Sequence, residues 1–267
     1  MDIQTDLGRR VFGAAAIALG LAGLYYRDFA TVWQPVPAET PGYKVLAIAA
    51  ALLFLASGLA LQSKRWSRYG AAVCALLYAI FTVLWARRVI GFPQIFATWG
   101  GTAEELALVA ASVAVIFRHG RIGDERRTIL LRLCTATFGV CAIAFGFNHF
   151  FNMTITASMV PSWIPPSPWF WALATGLVHV AGGIALLSGF FARPGSRLLV
   201  VMYIVFGVVI WAPRLVTDPG LPITWTGNAV NLALIGAAWI IAETVEMLVA
   251  TRRLPSLADD VEASSPA

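Results

Sequence analysis

The sequence predicts an all-α polytopic membrane protein, with eight transmembrane helices forming two parallel-related four-helix bundles. Three observations carry that expectation. Of the 267 residues, 59% are hydrophobic and only 12% charged, against roughly 45–50% and 25% in soluble globular domains. Eight apolar runs follow one another along the chain, each near the roughly 20 residues that cross a hydrocarbon core as a helix. The chain also matches itself at an offset of about 125 residues. Such a composition excludes a disordered chain, an ordinary soluble enzyme and a nucleic-acid partner. The pI of about 9.4 arises from 19 Lys and Arg residues, but these sit in short clusters between apolar runs. That is how membrane proteins encode orientation, not how a phosphate-binding stripe is built.

The runs fall at 11–32, 43–62, 69–90, 102–117, 130–151, 168–189, 195–213 and 226–248. Arg9 and Arg10 before the first run resemble the start of a signal peptide. No small-residue cleavage site follows before Arg27 and Asp28, so the run is read as a retained span. The fourth run is short because Glu104 and Glu105 stand at its start, where carboxylates suit a helix dipole. Fourteen of the 19 basic residues fall on the side of the termini and five on the other. Both termini are therefore expected in the cytoplasm of a bacterial inner (cytoplasmic) membrane. The domain expectation is a first repeat over 1–120, a second over 128–250 and a flexible cytoplasmic tail over 255–267.

The repeat rests on specific residues. Phe12-Gly13 and Ala16-Ile17-Ala18 return as Phe138-Gly139 and Ala142-Ile143-Ala144. Gly58, Arg68, Tyr78 and Phe81 return as Gly183, Arg193, Tyr203 and Phe206. With one residue inserted, Arg88, Trp99 and Gly101 match Arg214, Trp225 and Gly227. Trp, Tyr and Arg recurring at one offset exceed what composition alone produces. Because each repeat holds an even number of spans, the two would be related by an axis along the membrane normal.

Polarity separates the halves. Asn148, His149 and Asn152 lie on one face of the fifth span at i, i+1 and i+4. His179 lies near the middle of the sixth span, Asn228 and Asn231 form an i, i+3 pair on the eighth, and Arg214 caps the seventh. The matched first-half positions are mostly apolar: Ala22 and Gly23 face Asn148 and His149, and Phe54 faces His179. Glu105, matching Asn231, keeps polarity. Polar groups at membrane depth are costly and tend to line a bundle interior or a cavity. They are therefore expected to converge on an outer-leaflet polar pocket of the second half. The bland alternatives are interhelical glue for the amides and histidines and snorkelling for the arginines. Two histidines without further spaced ligands call for no metal. Cys134 and Cys141, about 10 Å apart along a helix, do not make a dithiol pair. The Pro- and Trp-rich loops around Trp33–Pro37 and Pro161–Trp169 suit the interface, either as anchors or as a lid.

The runs Gly146-Phe-Asn-His149-Phe150, Thr156-Ala-Ser158-Met-Val-Pro161-Ser-Trp163-Ile-Pro165 and Gly176-Leu-Val-His179-Val-Ala-Gly182-Gly183 resemble the DoxX-like membrane family. The resemblance covers about residues 130–248, and by the internal match the first half resembles a degenerate tandem copy. The family unit usually stands alone, and an acidic residue is common where this chain has His179. The resemblance implies a quinone-interacting membrane subunit of a sulfur or thiol redox system, working with a peripheral redox protein partner and membrane lipid. Any activity would be that of an oxidoreductase subunit rather than a self-sufficient enzyme, and the implied cofactor is quinone. The alternatives are a small-molecule or lipid transport or handling protein and a non-catalytic membrane scaffold.

Overall fold

A computed structural model describes the backbone over residues 6–118 and 125–263 and side chains up to residue 250. Described elements are helical throughout: α1 (Leu7–Tyr26), α2 (Tyr43–Gln62), α3 (Ser67–Gly91), α4 (Phe96–Phe117), α5 (Glu125–Phe151), the short α6 (Met153–Met159), α7 (Pro168–Ser188), α8 (Ala192–Phe206), the short α9 (Arg214–Thr217) and α10 (Pro222–Ala263). A π-helical turn, Gly207–Trp211, continues α8. Eight segments are long and apolar enough to cross a membrane. Large side chains such as Leu52, Leu76, Val140, Leu177 and Val201 stay exposed along them, as lipid-facing residues do. The protein is a multi-pass membrane protein.

Several spans run beyond their sequence boundaries, and the first and fourth differ for identifiable reasons. The first ends at Tyr26, six residues before the expected 32, because Arg27 turns left-handed (φ 52°) and closes the helix onto the Gly23 carbonyl. Its start reaches back past the two arginines, because Arg9 is buried and donates to the Leu61 carbonyl while pairing with Asp6 at 3.2 Å. The fourth begins at Phe96, so Glu104 and Glu105 lie two turns inside α4 rather than at its cap. The stretch expected as a tail from Pro255 continues α10 as far as Ala263, and residues 264–267 lie outside the described residues. The linker over 119–124, with Arg121, also lies outside them.

The helices pack as a closed ring. α1 meets α2, α2 meets α3 and α3 meets α4. In the other half α5 meets α7, α7 meets α8 and α8 meets α10. The halves join where α4 meets α5 and where α1 meets α10, with α4 and α10 also touching across the centre. Small residues allow these approaches, as expected where lipid supplies no hydrophobic drive between helices. Gly58 of α2 lies on the Gly13 carbonyl and Ile17 of α1, and Gly183 of α7 lies on the Gly139 carbonyl and Ile143 of α5. On the face bearing the termini, Arg118 pairs with Glu243 at 2.5 Å, while Arg193 and Arg197 share Glu246 at 2.8 and 2.7 Å. The opposite, Pro- and Trp-rich face carries the loops 27–42, 92–95, 160–167 and 218–221.

Candidate functional site

α5 and α7 bring His149 and His179 together. Ser167 starts α7 by accepting from the Phe170 amide, with Pro168 in the first turn where its missing N–H costs nothing. Gly176 lets α5 approach closely, for a methyl group there would press on the His149 Cβ at 3.0 Å. The two imidazole centroids end 4.9 Å apart. His179 is 2% exposed, and His149 is half-buried, so the pair is reached through His149.

One residue organises both rings. The His179 Nδ1 lies 2.9 Å from the Thr175 carbonyl, which can only accept, so Nδ1 carries the proton. The Thr175 hydroxyl donates to the Trp171 carbonyl at 2.7 Å. It is thus an acceptor for His149 Nδ1, 3.1 Å away, which also lies 3.2 Å from the Ala172 carbonyl. His149 Nδ1 therefore also carries its proton. In the neutral rings both Nε2 atoms are acceptors, and neither has a hydrogen-bond partner among the described residues. Tyr203 and Phe206 of α8 wall the pair, with centroids 5.5 and 6.2 Å from His179. The Tyr203 hydroxyl is buried without a partner.

The other expected site residues go elsewhere. Asn231 donates to the Tyr203 carbonyl at 3.2 Å, and Asn228 to the Trp211 and Thr224 carbonyls, each at 2.8 Å. Both amides thus hydrogen-bond backbone carbonyls around the π-helical segment and the start of α10, and make no hydrogen bond to either of the histidines expected beside them. The physical reason is local: the π turn breaks the regular ladder after Gly207, Asn228 serves the Trp211 carbonyl at its end, and Asn231 adds a second donor to the Tyr203 carbonyl that already accepts from the Gly207 amide. Asn148 packs against Gly100 of α4 and accepts from Asn152 at 2.7 Å. Arg214 stacks over the Trp211 ring at 5.0 Å. Glu105 is 2% exposed on α4, with Oε2 unpartnered beside the equally unpartnered Tyr78 hydroxyl. Among the described residues no group of three or more His, Cys, Asp or Glu side chains could hold a metal ion.

Two residues of the cluster escape the sequence reading. Thr175 is matched by Ala50, the same polar-for-apolar exchange that marks His149 and His179, but threonine is too common in membrane helices to stand out. Tyr203 is visible only as a repeat marker.

Residues 128–212 match the DoxX family. The match spans α5, α7, α8 and the π turn, and so contains His149, Thr175, His179 and Tyr203. The chain gives no match among curated proteins and none among solved structures. Beside this DoxX-like half, residues of the first half make matching contacts. Arg88 lies over Trp85 at 4.9 Å as Arg214 lies over Trp211. The Trp99 indole donates to the Pro93 carbonyl at 3.1 Å as that of Trp225 donates to Pro219 at 2.8 Å. Phe54 stands 5.3 Å from Tyr78 where His179 stands 5.5 Å from Tyr203.

Proposed function

We propose that the protein is a quinone-interacting membrane subunit of a sulfur or thiol redox system, and that it holds the reduced, quinol form at the His149–His179 pair. One observation carries this reading: the Nδ1 atoms are committed to the Thr175 and Ala172 carbonyls, leaving the Nε2 atoms as acceptors on two rings whose centroids lie 4.9 Å apart in an aromatic-walled setting. Such a pair suits a lipophilic ring bearing hydroxyl donors, because a buried acceptor without a donor loses the free energy of an unmade hydrogen bond. A neutral hydrogen-bonding site with aromatic walls suits a quinol ring. The electrons of a redox cycle would be exchanged with a peripheral redox protein, since the chain has no flavin or nicotinamide fingerprint.

The same reading makes the first half a tandem copy of the DoxX-like unit, supported by the matching contacts of Trp85 and Trp211, and sets both termini in the cytoplasm of a bacterial inner membrane, supported by the basic-residue split. A second reading, handling of a small molecule or lipid, is favoured by a cavity lined mainly by the first half.

The test uses the full-length protein in mild detergent and a decyl-tailed benzoquinol as probe. The wild type is expected to bind it, and His179→Phe to lose binding while remaining folded, because Phe54 already occupies the matched station against Tyr78. Equal binding by wild type and His179→Phe overturns the reading.

A further inference from the structure

The cavity of about 220 Å³ lies on first-half elements, closed on one side by Pro222, Ile223 and Thr226 of α10, and not beside the histidines. Its floor is apolar, formed by Leu19 and Gly23 of α1 and by Ala47, Ala51 and Phe54 of α2. Gly23 stands where the second half has His149, and Phe54 where it has His179. Gly23 lets α1 close on α2 at the cavity wall, since a Cβ there would meet that of Ala51 at 2.8 Å.

The loop after α1 closes over this space and is held firmly. Asp28 accepts from the Tyr43 hydroxyl at 2.8 Å and from Lys44 at 2.9 Å. The Trp85 indole donates to the Trp33 carbonyl at 3.0 Å. Next to Trp33, Gln34 is 8% exposed and lines the cavity. Its Oε1 accepts from the Ala30 amide at 2.9 Å, which fixes the amide plane. Its Nε2 has no hydrogen-bond partner among the described residues. A preformed, largely apolar chamber with an oriented N–H donor among a few polar groups (here also Tyr26, Thr31 and Thr226) is how small-molecule sites are commonly built.

We propose that this cavity is a ligand site for a small neutral molecule, a single ring bearing one acceptor oxygen, with the ring on the Ala47–Phe54 floor and the oxygen on Gln34 Nε2. Size sets the upper bound. An apolar cavity of about 150 Å³ holds benzene, and drug-sized pockets start at roughly 300 Å³. A chamber between these limits takes one substituted ring. Polarity sets the rest. The donor selects an acceptor, and Asp28 near the rim, already engaged with Lys44 and Tyr43, disfavours an anion. The site is independent of the histidine pair, so either can fail without the other.

The experiment compares acetophenone with ethylbenzene, which shares its ring but lacks the oxygen, by calorimetry on the full-length protein in detergent. The wild type is expected to bind acetophenone about tenfold tighter, the worth of one buried hydrogen bond. Gln34→Glu keeps an oxygen for the Ala30 amide but replaces the N–H donor, and should erase that tenfold preference while leaving ethylbenzene binding unchanged. Ala47→Leu fills the floor and should weaken both probes. Partition into detergent is common to every variant and cancels in the comparison. Acetophenone bound equally by wild type and Gln34→Glu overturns the proposal, and so does binding of both probes unaffected by Ala47→Leu. Should Ala47→Leu fail to fold, Gln34→Glu alone still decides, because it preserves the loop's own hydrogen bond.

Discussion

The Trp211 ring lies so closely on Gly227 that a methyl group at 227 would overlap it, and Trp85 lies on Gly101 in the same way. Each ring also carries the arginine three residues on, Arg214 or Arg88, over its face. Indole, glycine and guanidinium thus form one small stack at matched positions of α3–α4 and α8–α10. Gly101→Ala and Gly227→Ala should each destabilise the protein by about 1–3 kcal/mol, the usual cost of overpacking. Thermal unfolding in detergent reads this directly. Similar downward shifts in both variants support equivalent stacks, whereas a shift in one alone means that the two halves use their tryptophans differently.

The insertion between the halves has a structural address. Tyr78 and Phe81 match Tyr203 and Phe206 at an offset of 125, while Arg88 and Trp99 match Arg214 and Trp225 at 126. The extra residue falls where the second half has its π turn, Gly207–Trp211, and the first half has uninterrupted α3. One residue added to an α-helix is accommodated as such a bulge. Asn231 then belongs to the bulge. Asn231→Leu should cost about 0.5–1.5 kcal/mol by removing one of the two donors to the Tyr203 carbonyl, yet leave quinol binding at the histidines intact. Lost binding at unchanged stability would move Asn231 into the ligand site.

Much of the fold was legible because span length and charge placement are properties of single segments. The bounds of the first span moved where local interactions intervened: the left-handed Arg27 that stops α1, and the buried Arg9 that extends its start. The pairing of His149 with His179 was also legible, because polarity confined to one copy of a repeat marks a difference in use. Thr175 was not, since its role depends on a carbonyl and a hydroxyl aimed by helix geometry. Nor were the true partners of Asn228 and Asn231, because a π turn is invisible to periodicity and its freed carbonyls carry no side-chain signature. The cavity was missed for a related reason. Its floor is formed by small and apolar side chains such as Ala47, Ala51 and Phe54, which carry no polar signature in the sequence.

Orientation is testable without purification. Reporter fusions after Arg127 should read cytoplasmic and fusions at Pro165 should read external, because basic residues favour the cytoplasmic side. The reverse result would place the cavity, the histidine pair and the Trp-rich loops on the cytoplasmic face.

The loop over the cavity should respond to acid through Asp28. Its partial burial works to raise the carboxyl, but hydrogen bonds from Lys44, the Tyr43 hydroxyl and the Phe29 amide outweigh this and hold it below its ordinary value of 3.8. A carboxyl depressed in the folded protein contributes stability that is present above its unfolded value and lost as pH falls through the folded value. The loop should therefore be insensitive to pH from neutrality down to about 4, and open below 3.8 as Asp28 takes up a proton and releases Lys44. The Lys44 ammonium is well exposed, so the effect on global unfolding should be small. Local hydrogen exchange at the Phe29 and Ala30 amides is the sensitive measure. In wild type it should rise at acid pH. In Asp28→Asn it should be raised already at neutral pH and lack the acid step, because the amide cannot pair with Lys44 as a carboxylate does. An acid step that persists in Asp28→Asn would assign the loop's closure to another group.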